Sequence, residues 1–299
     1  MSSTDDQAAI LVTGACGHIG GELCRTLGDA GRRILPLDVD QCKIPDALIC
    51  DLRSKSDLAH VFQLHPIRIV IHLAGVLPSA FRVDPLLGAD VNLAGSCELM
   101  RHSAAAHVKR VIFASSMSVY GSSATDRGLT EDDPAAPDEP YGASKRAVEL
   151  IGETLAKQGA FEFVALRIAR VVGPGIKKTA SRWRSQIFDS CPPLDSVSIP
   201  FMPDAALSLV HIDEVTRMIC VLAEVAEIRR FIYNTPAETW RVRQLKEAVE
   251  RLRGISITLG PERDHSGPIC DGSRFALDFS FRLKSIRDYL SSGRRAHTW

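Results

Sequence analysis

Two residues with clear chemical potential are Tyr141 and Lys145, in the string P-Y-G-A-S-K. They are four residues apart on a predicted helix, so their side chains share one helical face. A tyrosine has an ordinary pKa of about 10 and is a poor base near neutrality. An ammonium group one turn away favours the phenolate. The pair therefore predicts a tyrosine that exchanges a proton with the hydroxyl oxygen on a carbon centre of the substrate.

Ser116 is a third candidate, because it ends an apolar run in the string A-S-S-M-S-V-Y-G. A hydroxyl at a strand end can hydrogen-bond the substrate oxygen and hold it for proton transfer. Each feature has a plain alternative, since Y-x-x-x-K also occurs on solvated helix faces and serines also occur at polar strand ends. Their joint occurrence after a nucleotide-binding pattern favours catalysis.

That nucleotide-binding pattern is T-G-A-C-G-H-I-G, which contains Gly14, Gly17 and Gly20 between a predicted strand and a predicted helix. Glycines permit a tight turn and let a pyrophosphate approach backbone N–H groups at the positive end of a helix. The spacing is G-x-x-G-x-x-G, and the alternative is a turn that only shapes the chain. The strand–loop–helix context favours a dinucleotide site.

Asp38 ends the second strand-like run, where a carboxylate can accept hydrogen bonds from a ribose and would repel a 2′-phosphate. This favours NAD over NADP, although an acidic residue can also simply cap a strand end. Asp51 closes the third run, and the Asp51 side chain or the Leu52 backbone could reach the adenine.

The elements that must position these residues alternate through the first 170 residues, as short apolar runs between amphipathic stretches. The predicted strands are Ala9–Val12, Arg33–Leu37, Arg68–Leu73, Arg110–Ala114 and Glu162–Leu166. The predicted helices are Ile19–Asp29, Ser56–Leu64, Leu86–Ala106 and Tyr141–Lys157. Nearly continuous apolar strands alternating with helices predict an α/β protein with a Rossmann-type doubly wound parallel sheet.

The rhythm breaks after residue 170, beginning with the turn Gly173-Pro174-Gly175. Helices are predicted at Asp213–Glu224, Val242–Leu252 and Ile286–Leu290, with strands at Arg230–Tyr233 and Ser256–Leu259. We expect residues 1–170 to form the NAD-binding core that carries the catalytic residues. We expect residues 171–299 to form mainly a small C-terminal α/β substrate-binding lobe, with some segments returning to the core.

The composition narrows the possible partners. The chain has 299 residues, with 36 Lys plus Arg and 36 Asp plus Glu. A neutral balance provides no field for nucleic acid or an anionic membrane, so neither partner is expected. No apolar run approaches the ~18 residues that span a bilayer, and the polar N-terminus is unlike a signal peptide, so we expect a cytoplasmic protein. The eight cysteines form no C-x-x-C pair, and no metal site is expected.

Taken together, the motifs resemble the extended short-chain dehydrogenase/reductase family, also called NAD-dependent epimerase/dehydratases. The matches are T-G-A-C-G-H-I-G, Asp38, H-L-A-G at 72–75, V-N-L-A-G-S around Asn92, S-S-M-S-V-Y-G and Y-G-A-S-K, with L-R-I-A-R-V-V-G-P-G extending them to residue 175. The resemblance implies that Ser116, Tyr141 and Lys145 are catalytic and that NAD is the cofactor. The expected NAD site comprises Gly14, Cys16, Gly17, His18, Ile19, Gly20, Asp38, Asp51, Leu52, Leu73, Ala74, Gly75, Asn92, Tyr141 and Lys145.

The chain departs from family members that act on sugar nucleotides at two places. Arg170 stands where they usually carry an asparagine, and Leu207 and Ser208 stand where an arginine that binds a diphosphate is usual. The string H-L-A-G-V-L-P-S-A, followed by Asp84-Pro85, is similar to a subset that oxidises small hydroxy acids or amino alcohols, such as erythronate-type and threonine-type dehydrogenases.

A small carboxylate substrate needs a positive partner, and an arginine fork suits a carboxylate. Arg170 and Arg182 are the candidates, with Arg184 behind them, although a solvated basic loop is an equal alternative. Ser79, Ser116 and Met117 are the further expected pocket residues.

Three functions remain open from the sequence. The first is an NAD-dependent dehydrogenase for a small polar alcohol such as a hydroxy acid or sugar acid. The second is a nucleotide-sugar epimerase or dehydratase that retains its NAD, and the third is a non-catalytic dinucleotide sensor. A homodimer is also possible, through the helices Leu86–Ala106 and Tyr141–Lys157. Their apolar residues could equally belong to the core.

Overall fold

The central feature of the fold is a seven-stranded sheet whose strands all run parallel. The computed structural model describes residues 8–41, 43–122, 127–176, 182–189, 195–262 and 267–292. From edge to edge the strands are β10 (Ile232–Asn234), β6 (Glu162–Ile168), β5 (Arg110–Ser116), β4 (Ile67–His72), β1 (Ala9–Thr13), β2 (Ile34–Asp38) and β3 (Leu48–Ile49). The predicted α/β doubly wound sheet is confirmed.

The helices follow the strands along the chain. They are α1 (His18–Asp29), α2 (Lys55–Leu64), α3 (Pro78–Val83), α4 (Pro85–Ala89), α5 (Ser96–Ala105), α6 (Pro140–Lys157), α7 (Trp183–Gln186), α8 (Ile212–Glu224), α9 (Val242–Arg253), α10 (Ser273–Asp278) and α11 (Ile286–Ser292). Within the described ranges, no helix is both long enough and apolar enough to cross a membrane.

Both faces of the large sheet are covered, which explains why its strands are apolar at almost every position. In β5, Ile112 belongs to a buried cluster that includes Leu23 of α1 and Ile219 of α8. The flanking Val111 and Phe113 belong to a second cluster, with residues of α2, α5 and α6. Successive side chains of a strand point to opposite faces, so one run contributes to two cores.

The chain after residue 170 builds a second layer of structure. β7 (Arg170–Val172), β9 (Ala206–His211) and β11 (Glu238–Arg241) form one small sheet, and β8 (Ser196–Phe201) pairs with β12 (Ser256–Glu262). A third apolar cluster joins them to α7, α9 and α11. In contrast, β10 extends the large sheet and α8 packs against α1. Segments after residue 170 therefore lie in both parts, and the division into two functional regions stays a prediction.

The observed helices and strands differ from the predicted ones in two respects. The expected helix Leu86–Ala106 is α4 and α5 joined by a π-helical turn at Asp90–Gly95. Strands β3, β7, β8, β9 and β11 were not predicted. In β9 nearly every residue is buried, so no alternation marks it, and its pairing with β7 and β11 establishes it as a strand.

Candidate active site

A large cleft opens where the parallel strands end, and it encloses about 2160 Å³. Gly14 follows β1, Asp38 ends β2, Leu73 follows β4 and Met117 follows β5, and all four line the cleft. Ligands of open parallel sheets bind at this edge. The volume exceeds that of a pocket for one drug-sized ligand, so a dinucleotide and a small substrate can both be accommodated.

Most residues predicted from the sequence line this cleft. They are Gly14, Cys16, Gly17, His18, Ile19, Gly20, Asp38, Asp51, Leu52, Leu73, Ala74, Gly75, Ser79, Ser116, Met117, Tyr141, Lys145 and Arg170. Asn92 and Arg182 do not line it. Arg184 and Phe201, which were not among the predicted site residues, do.

The glycine loop is shaped by close backbone contacts. Gly14 has a φ of +72°, and a Cβ there would lie 2.6 Å from the backbone nitrogen of Ala74. A Cβ on Gly20 would lie 2.1 Å from the Gly14 carbonyl oxygen, and Gly17 is the N-cap of α1. Only glycine fits where the first strand turns so tightly into the helix. This geometry brings the N-terminus of α1 to the cleft, where the helix dipole favours an anion.

Asp38 contributes to the shape of the same loop. Its Oδ2 accepts a hydrogen bond from the backbone N–H of Cys16 at 2.8 Å, and its Oδ1 accepts one from Val39 at 2.8 Å. Cys16 is disulfide-bonded, not a free thiol. Asp51 is engaged by Arg53, whose hydrogen bonds hold the pKa of the Asp51 carboxyl below its usual range. Both carboxylates therefore have structural partners while facing the cleft.

The proposed catalytic side chains converge at one side of the cleft. Ser116 ends β5, and its hydroxyl is hydrogen-bonded to the Tyr141 side chain and lies 3.1 Å from the Ser118 hydroxyl. Lys145 donates a hydrogen bond from Nζ to the carbonyl of Ala114 at 2.8 Å. The same Nζ lies 5.9 Å from the centre of the Tyr141 ring. The sequence predicted this grouping, and the structure brings the three residues together.

Burial shifts the pKa of both Tyr141 and Lys145. Burial raises the pKa of Tyr141 above its ordinary value, and the hydrogen bond with Ser116 opposes this shift only in part. Burial also lowers the pKa of Lys145 to about 8, against the opposing effect of Glu149. In the protein alone, the cost of burying a phenolate therefore dominates the pKa of Tyr141.

A buried carboxylate holds α6 in place against two strands. Glu149 accepts a hydrogen bond from Ser115 of β5 at 2.6 Å and two from the Arg167 guanidinium of β6, at 2.9 and 2.8 Å. Arg167 in turn donates to the Tyr120 hydroxyl at 2.7 Å. Because Ser115 precedes Ser116 and Glu149 lies one turn beyond Lys145, this network fixes the spacing between the two catalytic candidates.

Asn92 supports the site from behind and does not face the cleft. Its Oδ1 accepts a hydrogen bond from the Val76 N–H at 2.7 Å, and its Nδ2 donates to the Val76 carbonyl at 3.0 Å. A Cβ on Gly75 would lie 3.1 Å from Asn92 Oδ1. The side chain thus clamps the segment after β4, and the cofactor contact expected of Asn92 stays a prediction.

The arginines expected to bind substrate are separated by the fold. Arg170 lies in the cleft with its guanidinium 4.9 Å from the centre of the Phe201 ring, and burial, with a contribution from Arg184, lowers its pKa to about 10. Arg182 precedes α7 and is exposed. Arg184, two residues later, lines the cleft instead. No local pattern in the sequence distinguishes these two, because the difference depends on how α7 packs.

Residues 10–234 match the family described as the NAD dependent epimerase/dehydratase family. The chain belongs to this family. As an NAD-dependent epimerase/dehydratase it is an enzyme of the extended short-chain dehydrogenase/reductase type, which confirms the family, the cofactor class and the enzymatic nature expected from the motifs. The sensor interpretation is therefore set aside.

Curated relatives align with about half of the chain. A UDP-glucose 4-epimerase of Yersinia pestis is 34% identical over 158 residues, which cover 48% of this chain and 46% of the relative. The chain spans about half the length of the curated relatives it matches.

Solved structures of two named enzymes match nearly the whole fold. L-threonine dehydrogenase from Phytophthora infestans superposes with a TM-score of 0.87 at 18% identity, covering 96% of this chain and 97% of that one. The UDP-glucose 4-epimerase of Thermus thermophilus in complex with NAD has a TM-score of 0.82 at 22% identity, covering 95% and 96%. At these identities the likeness shows the fold, and it includes relatives of two substrate classes.

Proposed function

We propose that this chain is an NAD-dependent dehydrogenase that oxidises a carbinol carbon, or reduces the corresponding carbonyl, in a small polar substrate bearing a carboxylate, such as a hydroxy acid or sugar acid. The observation that carries the proposal is the position of Arg170. Its guanidinium lies in the cleft that also contains Ser116, Tyr141 and Lys145. A guanidinium matches a carboxylate in both charge and geometry.

The chain's own residues supply the proton chemistry. The Ser116 hydroxyl holds the substrate oxygen, and the Tyr141 hydroxyl gives a proton to that oxygen or takes one from it. Lys145 is anchored on the Ala114 carbonyl, which keeps its positive charge close to the Tyr141 ring. NAD, when bound, supplies the hydride exchange and a ring whose positive charge favours the Tyr141 phenolate.

The residues present fit an NAD molecule. The glycine loop leaves room for a diphosphate at the N-terminus of α1. Asp38 lies at the end of β2, where its carboxylate suits ribose hydroxyls and disfavours a 2′-phosphate. Lys145 would hold the second ribose. These assignments support NAD in preference to NADP.

A second candidate is a nucleotide-sugar epimerase or dehydratase with tightly bound NAD. The curated relatives named UDP-glucose 4-epimerase favour it. The positions expected to hold the sugar-nucleotide diphosphate weigh against it, because Leu207 is fully buried in the apolar core and the Ser208 hydroxyl accepts a hydrogen bond from Cys270. Neither presents a positive charge to the cleft.

The test is a substrate panel read by cofactor reduction. Hydroxy acids and sugar acids are incubated with NAD+ or NADP+, and NADH formation is followed by its absorbance. UDP-sugars are assayed in parallel for conversion without net reduction. We expect NADH from at least one acid and no conversion of UDP-sugars, and the reverse pattern would overturn the proposal. Arg170→Gln should raise KM for the acid by roughly 10- to 100-fold but not for the corresponding alcohol without the carboxylate.

A further inference from the structure

Arg184 is partly buried and, among the described residues, has no carboxylate partner of the kind that Arg167 and Arg110 have. Arg167 is paired with Glu149, and Arg110 forms an ion pair with Glu162. Arg184 donates a long hydrogen bond from Nη1 to the Val171 carbonyl at 3.4 Å, and its Nε is buried with no hydrogen-bond partner among the described residues. A guanidinium taken out of water without a counter-charge is unstable relative to a paired one. Burial accordingly lowers the pKa of Arg184 to about 10.

The position of Arg184 is fixed by the loop 173–175. The backbone N–H of Gly173 donates to the Arg184 carbonyl at 3.0 Å, and that of Gly175 donates to the Ser185 hydroxyl at 2.9 Å. Gly175 itself lies against His18, since a Cβ on Gly175 would be 3.6 Å from the His18 Nδ1. This chain of contacts joins the start of α7 to the first residue of α1.

His18 shares the electrostatic surroundings of Arg184. Burial, and then the positive charge of Arg184, lowers the pKa of His18 to about 4, so its ring is neutral near pH 7. Among the described residues, its Nε2 is buried without a hydrogen-bond partner, as is the Nε of Arg184. Both residues line the cleft. Two unsatisfied polar groups at the positive end of a helix are suited to an anion.

We propose that Arg184 binds the diphosphate of NAD from the side opposite the glycine loop, with the His18 ring as a second contact. The diphosphate supplies the negative charge that the buried guanidinium lacks, and charge-assisted hydrogen bonds satisfy its nitrogens. The backbone N–H groups of α1 hold the diphosphate from one side and α7 covers it from the other. Loop 173–175 and α7 thus become part of the cofactor site.

The competing assignment is that Arg184 binds an anionic group of the substrate together with Arg170, whose pKa it influences. The shared chemistry is recognition of an anion, and binding measurements without substrate separate the two sources. These measurements do not depend on which alcohol the enzyme oxidises, so a failed substrate panel leaves this test intact.

The experiment compares Arg184→Gln with Arg182→Gln in the full chain, by calorimetric titration with NAD+, ADP-ribose and adenosine. Arg182 is a matched control, because it lies two residues away and is exposed. We expect Arg184→Gln to weaken NAD+ and ADP-ribose by roughly 10- to 100-fold and to leave adenosine, which has no diphosphate, unchanged. Arg182→Gln should match the wild type with all three. Arg184→Lys, which keeps the charge, should fall between the wild type and Arg184→Gln.

Unchanged affinity of Arg184→Gln for NAD+ and ADP-ribose would overturn the proposal. A raised KM for the acid substrate in that variant would then assign the residue to the substrate. Equal weakening of adenosine would also overturn it, since that result indicates a general loss of structure. If Arg184→Gln does not fold, the Arg184→Lys variant is used instead. If that variant folds and binds ADP-ribose as tightly as the wild type, the guanidinium does not contact the diphosphate and the proposal is overturned.

Discussion

At Tyr141 two effects oppose each other. The side chain is nearly buried, which favours the neutral phenol, whereas Ser116 and the nearby ammonium of Lys145 favour negative charge on its oxygen. Burial prevails in the protein alone. A tyrosine in this balance is a proton donor by default and becomes a base only when a further positive charge approaches, which suits a reaction that generates a cationic nicotinamide.

Replacing Tyr141 with Phe tests this role at a single atom. The variant loses the hydroxyl and keeps the ring, which packs edge-to-face on Phe81 at 6.5 Å. We expect kcat to fall by about 10²- to 10⁴-fold because general acid–base catalysis is lost. The NAD+ dissociation constant, measured by titration, should stay close to the wild-type value. Retained turnover would show that another group moves the proton.

At the scale of elements, the junction between β1 and α1 is the most constrained part of the cleft. Gly20 lies in the first turn of α1, where any side chain would meet the Gly14 carbonyl. Gly28 lies in the last turn of the same helix, with open space around it. Helix α1 therefore contains Gly20, which the close backbone of Gly14 requires to be glycine, and Gly28, where a side chain would meet no neighbour.

Substituting alanine at each position separates these two roles. Gly20→Ala should lower the free energy of unfolding by about 1–3 kcal/mol, because the loop must shift to relieve the clash. It should also weaken NAD+ binding. Gly28→Ala should be neutral or stabilising by up to about 1 kcal/mol, since alanine favours a helix. Chemical denaturation and NAD+ titration of both variants provide the measurement, and equal behaviour of the pair would contradict the constraint.

The association of helices is also decided at this scale. Of the apolar residues on α6 considered for a dimer face, Val148 is buried in the core and Leu150 is 49% exposed. Val83 of α3 and Leu86 of α4 are 86% and 77% exposed. These exposed apolar positions are compatible with a homodimer through α6 and its neighbours, which stays a prediction. The molecular mass of the protein in solution tests it.

At the scale of the whole molecule, a buried histidine joins the sheet to α5. His72 ends β4, its Nδ1 lies 2.8 Å from the Thr13 hydroxyl and its Nε2 lies 2.8 Å from the Ser96 hydroxyl. Burial, with a smaller contribution from Lys145, lowers the pKa of His72 to about 3 from 6.5. His18 is lowered to about 4. Both rings therefore stay neutral in the folded protein well below the pH at which they are protonated in the unfolded chain.

This difference predicts acid destabilisation. Between pH 6.5 and about 3 the unfolded chain binds a proton at His72 that the folded chain does not, so stability falls as pH falls through this window. The slope from one such group is up to about 1.4 kcal/mol per pH unit. Denaturant unfolding at several pH values should show a shallower slope in His72→Gln. His60→Gln, at an exposed position, should keep the wild-type slope, and an unchanged slope in both variants would refute the assignment.

The sequence by itself determined the sheet, the cofactor loop and the proposed catalytic group. Apolar runs reveal parallel strands because both of their faces are buried, and in such a sheet the residues after each strand meet at one edge. Gly14, Asp38 and Ser116 could therefore be placed in one cleft from local patterns alone. Tyr141 and Lys145 follow from the spacing on a helix.

The tertiary structure decided which charged side chains face the cleft and how the pKa values of the site residues are shifted. The packing of α7 exposes Arg182 and turns Arg184 toward the cleft, and two hydrogen bonds between Asn92 and the backbone of Val76 direct that side chain behind the site. The raised pKa of Tyr141 likewise comes from surroundings contributed by distant segments. Burial and counter-charges depend on contacts between residues far apart in the chain, and the spacing of residues along one segment contains no information about them.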